Sequence, residues 1–133
     1  MSPLGHPSVS RSLALAAAIE LATGLALVIR PSFVTGLLFG GGVAGAGTEL
    51  GRMAGLGLFC FGLACWPRRG TAPRASAAVR GLLTYNVLVL LYLACLGLAG
   101  KAAGPLLWPA VLLHAVLAGL LIAAWIAGRS VQS

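Results

Sequence analysis

The stretch that decides the fold is Ser12 to Ile29, SLALAAAIELATGLALVI, an apolar run interrupted by the single charge of Glu20. A helix of roughly 20 apolar residues crosses the ~30 Å hydrocarbon core of a bilayer. Arg30 and Pro31 follow directly and end the run. Because the run continues past any cleavage-like motif and carries a charge in its middle, we interpret it as a retained transmembrane helix, not a cleaved signal peptide.

The composition extends this interpretation to the whole chain. Hydrophobic residues make up 59% and charged residues only 8%, whereas about a quarter of a soluble domain is charged. The net charge of +7 lies mostly between apolar runs, which indicates topology signals and argues against a nucleic-acid-binding face. A chain of 133 residues suits one membrane domain, residues 1–133.

The sequence predicts an all-α bundle of four transmembrane helices. The predicted spans cover about 12–29, 45–66, 79–99 and 105–127. The second span starts somewhere between Val43 and Glu49, and its glycines, Gly55 among them, predict close packing against neighbouring helices. Between the first two spans, Ser32 to Phe39 is apolar but too short to cross. We predict that it forms a short helix at the outer interface.

The basic residues predict the orientation, because cytoplasmic loops carry an excess of Lys and Arg. Six cations flank the predicted spans on one side: Arg11, Arg68, Arg69, Arg74, Arg80 and Arg129. The two loops on the other side hold only Arg30 and Lys101. We therefore expect both termini and the arginine-rich loop to be cytoplasmic.

Charged side chains within a membrane are costly, so each one is a candidate functional residue. If the second helix begins near Val43, Glu20 and Arg52 share a depth, and an ion pair would spare both charges. If it begins near Glu49, Arg52 can pair instead with Glu49, three residues earlier. Glu20 would then lie alone and be protonated, because a low dielectric disfavours the charged carboxylate. The sequence leaves both pairings open.

Asn86 and Tyr92 on the third span and His114 on the fourth are further polar residues. With Glu20 and Arg52 they form a predicted intramembrane polar cluster. Each also has a structural interpretation: Asn86 as a link between helices, Tyr92 as a packed aromatic, and His114 as a core histidine bonded to a carbonyl. The spacing of cysteines and histidines matches no metal site, so we expect neither a metal nor another cofactor.

Several segments resemble parts of known proteins. They are IELATG at 19–24, GR at 51–52, GLACWP at 62–67, LTYN at 83–86, and GPLLWP at 104–109 leading to His114. Together they resemble a group of small uncharacterised bacterial integral membrane proteins with four predicted helices. The layout is also loosely similar to that of DoxX-like membrane proteins. The resemblance implies a multi-pass protein of the bacterial cytoplasmic (inner) membrane, and it implies no activity.

Three functions remain open at this level, and no residue constellation names a reaction. The first is a helix-bundle interaction protein or accessory subunit, embedded in the lipid bilayer and bound to a second copy or a larger membrane complex. The second is an oligomeric small transporter or channel with Glu20 and Arg52 lining its path. The third is a lipid- or quinone-binding protein, which a hydrophobic side cleft reaching Glu20 would favour. A Glu20–Arg52 pair would favour the first, and Glu20→Gln would then destabilise the bundle by leaving Arg52 unpaired.

Overall fold

A computed structural model describes residues 7–67 and 77–129, and within these ranges all regular secondary structure is helical. Five helices follow in order: α1 (Pro7–Ile29), α2 (Pro31–Phe39), α3 (Ala46–Ala64), α4 (Ala77–Leu98) and α5 (Leu107–Arg129). Three segments are long and apolar enough to cross a membrane: Ser10–Ile29, Ala77–Leu98 and Leu107–Ile126. These segments support a membrane protein. The α3 helix falls outside this set, and the predicted Arg68, Arg69 and Arg74 loop lies outside the described residues.

Pro31 separates the first helix from the second. A proline disfavours helical geometry in the residue before it, and Arg30 accordingly adopts φ −139° between the end of α1 and the start of α2. The same ring is well accommodated at the first position of a helix, where Pro31 opens α2. The short helix ends at Gly40, which adopts a left-handed φ of 83° and donates its N–H to the Gly36 carbonyl.

The α1 and α3 helices pack so closely that their backbones touch. A β-carbon on Gly24 would lie 2.6 Å from the backbone nitrogen of Phe59, and one on Gly55 would lie 2.7 Å from the Gly24 carbonyl oxygen. Further along, a β-carbon on Gly62 would lie 2.9 Å from the Ala17 carbonyl oxygen. The two helices are therefore antiparallel neighbours, held at a distance that only glycine permits at these crossings.

The remaining helices complete a bundle that is closed on three sides. The α5 helix packs extensively on α4 and also on α1, whereas α3 and α4 make few contacts with each other. Two backbone hydrogen bonds tie the end of α2 to the loop before α5, from Leu106 N–H to the Leu37 carbonyl at 2.8 Å and from Ala103 N–H to the Phe39 carbonyl at 3.3 Å. The order around the bundle is thus α3, α1, α5, α4, with an opening between α3 and α4.

Two apolar clusters fill the interior of the bundle. The larger consists of Leu13, Ala16, Ala17, Cys65, Val79, Leu82, Leu117, Leu121 and Ala124. The smaller, near the opposite end, consists of Leu93, Ala102 and Leu107. Many large apolar side chains point outward instead, such as Leu98 and Met53, which are 80% and 67% exposed. An outer surface this apolar is suited to lipid.

Candidate functional site

Glu20 lies inside the bundle and is held by one hydrogen bond. The α1 helix places it between the two ends of Ser10–Ile29, and its side chain is only 1% exposed. Its carboxyl group forms a side-chain hydrogen bond with Tyr85 on α4. The other carboxyl oxygen, Oε1, is buried without a hydrogen-bond partner in the structure.

Asn86 and His114 form a second polar pair, between α4 and α5. The Asn86 Nδ2 donates to the Leu82 carbonyl oxygen at 2.8 Å, and the His114 Nδ1 lies 2.8 Å from Asn86 Oδ1. Since a carbonyl can only accept, this bond fixes which end of the amide faces the histidine, and His114 Nδ1 must therefore donate. A neutral imidazole then leaves Nε2 as an acceptor.

The ring of Tyr85 packs against both His114 on α5 and Phe61 on α3. Its centroid lies 6.0 Å from that of His114 in an edge-to-face arrangement, and 5.6 Å from that of Phe61 on α3. Such aromatic pairs stabilise by about 0.5–1.5 kcal/mol beyond area burial. We call Glu20, Tyr85, Asn86 and His114 the polar cluster. It unites residues of α1, α4 and α5 between the two apolar clusters of the core.

The structure separates the other two predicted residues from this cluster. Arg52 Nη1 lies 2.8 Å from Glu49 Oε1, and their side chains are 46% and 67% exposed. The predicted Glu20–Arg52 pair is thus absent and the Glu49–Arg52 alternative is formed, because α3 packs with Gly51 beside Pro31 and Gly62 beside Ala17, which places Arg52 near Pro31 and away from Glu20. Tyr92 is 63% exposed on the outer surface of α4.

Tyr85 is the member of the polar cluster that the predicted set lacked. Counted from the ends of α1 and α4 on the same side of the bundle, Glu20 is ten residues into Ser10–Ile29 and Tyr85 eight into Ala77–Leu98. At 1.5 Å per residue these are depths of about 15 Å and 12 Å. Tyr92 would lie at about 22 Å. Matching depths from a common end was therefore a signal in the sequence for Tyr85 over Tyr92.

An open groove between α3 and α4 reaches the polar cluster. Its volume is about 660 Å³, and it is a shallow depression that is open to the outside, not an enclosed pocket. Ala54, Gly57, Leu58 and Phe61 line the α3 wall, and Arg80, Gly81, Thr84, Tyr85 and Leu88 line the α4 wall. The groove is largely apolar, with its polar groups confined to α4. Tyr85 belongs to both features, since it lines the groove and bonds Glu20.

Comparison with known proteins adds no relative. No family model matches the chain, and no curated protein or solved structure matches it. The resemblance to small bacterial four-helix membrane proteins therefore stays a prediction. Within residues 7–67 and 77–129, no three side chains of His, Cys, Asp or Glu are grouped so that they could hold a metal ion.

Proposed function

We propose that the chain crosses the bacterial cytoplasmic membrane four times, with α3 as the second span. Its 19 residues extend about 28 Å, close to the ~30 Å hydrocarbon thickness. It runs antiparallel to α1, in backbone contact from Gly55 to Gly62, so a membrane around α1 also surrounds α3. Glycines and the Glu49–Arg52 pair lower its hydropathy. The α2 helix, with nine residues, is too short to cross and lies at the outer interface in this proposal.

The basic residues support a cytoplasmic location for both termini. Arg11 at the start of α1 and Arg80 at the start of α4 lie at the same end of the bundle, and both are exposed. Arg30 and Lys101 lie at the opposite end. With Arg68, Arg69, Arg74 and Arg129 added from the sequence, the excess of cations marks the Arg11 end as cytoplasmic.

Reporter fusions test the four-span topology. Alkaline phosphatase, which is active only outside the cytoplasm, is fused after Ser133 or inserted between Gly41 and Gly42, and green fluorescent protein is fused to the same sites in a parallel set. We expect phosphatase activity only at the Gly41 site and fluorescence only at the C-terminus. Phosphatase activity at the C-terminal fusion would contradict the proposal, because an odd number of spans places the two termini on opposite sides.

We further propose that the protein binds a lipid-like amphiphile in the groove between α3 and α4. The observation that carries this proposal is the position of Tyr85, which lines the groove and hydrogen-bonds the buried Glu20. An apolar cleft with a few converging polar groups is the usual form of a small-molecule site. The groove opens sideways from the bundle, toward the hydrocarbon in the proposed topology, so a lipid or a quinone can enter without crossing water.

The alternatives receive less support from the same geometry. A Glu20–Arg52 ion pair would have favoured the interaction or accessory subunit. In the structure, Arg52 pairs with Glu49 instead. The oligomeric transporter or channel was predicted to have Glu20 and Arg52 lining its path, but Arg52 is exposed and pairs with Glu49. A path through a single bundle would also meet the apolar clusters containing Leu117 and Leu107 on either side of the polar cluster. Binding from the side requires neither the ion pair nor an axial path.

Two matched glycine substitutions test occupancy of the groove. A β-carbon on Gly57 or on Gly119 meets nothing within 4 Å, and both glycines are exposed. Only Gly57 lines the groove, so Gly57→Phe fills it, whereas Gly119→Phe adds the same ring to the outer face of α5. Native mass spectrometry in detergent with added phospholipid measures binding.

We expect at least tenfold weaker phospholipid binding by Gly57→Phe than by Gly119→Phe, with circular dichroism showing equal helicity. Equal binding by the two variants would contradict the lipid proposal. The lipid proposal would also be contradicted if the wild type is an oligomer that dissociates in Gly57→Phe but not in Gly119→Phe. A helix of another chain would then occupy the groove, as expected of an interaction subunit.

A further inference from the structure

Building on the proposed lipid-binding function, we infer that the ligand of the groove carries an anionic headgroup, which Arg80 binds at the cytoplasmic end. Arg80 is the residue that selects this class of ligand. Three features support this role: the position of Arg80 within the groove, its lack of a carboxylate partner, and the depth to which the groove extends.

The groove has the geometry of a single lipid chain below a headgroup. Its α4 wall runs from Arg80 to Leu88, eight residues or about 12 Å of helix. Arg80 lies in the first turn of α4 and Leu88 near its middle. A lipid places its headgroup at the interface and its chain inward, as this groove requires.

The charge of Arg80 has no side-chain carboxylate to neutralise it. The chain contains only two acidic residues, of which Glu49 pairs with Arg52 and Glu20 is buried beside Tyr85. Guanidinium groups bind phosphate through paired N–H donors. A phosphate headgroup therefore neutralises the charge of Arg80, as the Glu49 carboxylate neutralises the charge of Arg52.

The residues beyond Arg80 continue the match to an amphiphile. Thr84 lies one helical turn, about 6 Å, beyond Arg80 along the groove and adds a hydroxyl group to its lining. Leu58 and Phe61 on the opposite wall offer apolar surface to an acyl chain. Along α4 the lining runs from Arg80 through Thr84 and Tyr85 to Leu88, whereas the α3 wall is apolar throughout, with Phe61 opposite Gly81 at the Arg80 end.

The test compares phosphatidylglycerol with phosphatidylcholine, which carry the same acyl chains but differ in net charge. Native mass spectrometry titrations on the full-length protein use wild type, Arg80→Gln and Arg11→Gln. Arg11 is the matched control, because it is exposed at the same end of the bundle but does not line the groove. Gly57→Phe reports separately on whether the groove is occupied at all.

We expect wild type and Arg11→Gln to prefer phosphatidylglycerol by about tenfold or more, the ratio that corresponds to about 1.4 kcal/mol. In Arg80→Gln the preference should fall below twofold while phosphatidylcholine binding is retained. Millimolar glycerol phosphate should not displace the lipid. Displacement by glycerol phosphate would overturn the assignment to a lipid headgroup in favour of a free phosphate.

Two further outcomes overturn the inference. One is an Arg80→Gln variant that keeps the wild-type preference for phosphatidylglycerol. The other is an Arg11→Gln variant that loses this preference as much as Arg80→Gln does, which would indicate an effect of general surface charge. If Gly57→Phe still abolishes binding of both lipids in those cases, the groove remains the site and only the headgroup assignment fails. If Gly57→Phe changes neither lipid, the proposed function itself fails.

Discussion

Replacing Gly55 with alanine should weaken the α1–α3 interface, and the cost can be worked from the structure. A β-carbon at this position would lie 2.7 Å from the Gly24 carbonyl oxygen and 2.8 Å from the Val28 backbone nitrogen. Ordinary contacts are about 3.5 Å, so α1 and α3 must separate by roughly 0.8 Å to accept the methyl group. Overpacking of this kind costs about 1–3 kcal/mol.

Gly57→Ala is the matched control for Gly55→Ala, since its β-carbon meets nothing within 4 Å. Alanine favours a helix over glycine by up to about 1 kcal/mol at either position, and comparing the two variants cancels this gain. Unfolding in mixed detergent and dodecyl sulfate micelles, followed by circular dichroism, should show Gly55→Ala about 1–3 kcal/mol less stable than Gly57→Ala. Equal stability within about 0.5 kcal/mol would refute the close backbone packing.

The same unfolding assay tests the polar residues. Tyr85→Phe removes the hydrogen bond to buried Glu20 and should cost about 1–3 kcal/mol; a change smaller than about 0.5 kcal/mol would contradict the assigned bond. Glu20→Gln keeps an acceptor for Tyr85 but places an amide NH2 without a partner at the buried Oε1 position, and should also cost about 1–3 kcal/mol. A double-mutant cycle with Asn86→Leu and His114→Leu should give a coupling of about 0.5–3 kcal/mol, and additivity would show that the two side chains do not interact. Arg52→Gln breaks an exposed pair and should change stability by less than about 1 kcal/mol, whereas a larger loss would indicate that Arg52 is needed inside the bundle.

Much of the helical layout could be predicted, because length and apolarity decide where a helix can cross a membrane. The apolar run from Ser12 to Ile29 lies within α1, and Pro31 both ends that helix and begins the next. The start of the second span was left open in the sequence, since Gly40 to Gly47 fits either a linker or a helix. The structure begins α3 at Ala46, and its crossing of a membrane stays a proposal.

The pairing of Arg52 illustrates what the sequence could not decide. Glu20 and Glu49 are both acceptable partners by spacing, and only the register of α3 against α1, with Gly51 beside Pro31, selects Glu49. Consequently the predicted loss of stability in Glu20→Gln through an unpaired Arg52 no longer follows. The groove was equally inaccessible to sequence reasoning, because it arises from α3 and α4 standing apart, and separation between helices leaves no periodic pattern in either one.

The most direct test of lipid binding is an experimental structure of the protein in nanodiscs that contain phosphatidylglycerol. The account predicts elongated density between α3 and α4, with its headgroup at Arg80 and its chain passing Phe61 toward Leu88, while Glu20 remains bonded to Tyr85. A groove closed by direct contact between α3 and α4, or occupied by a helix of a second chain, would contradict it.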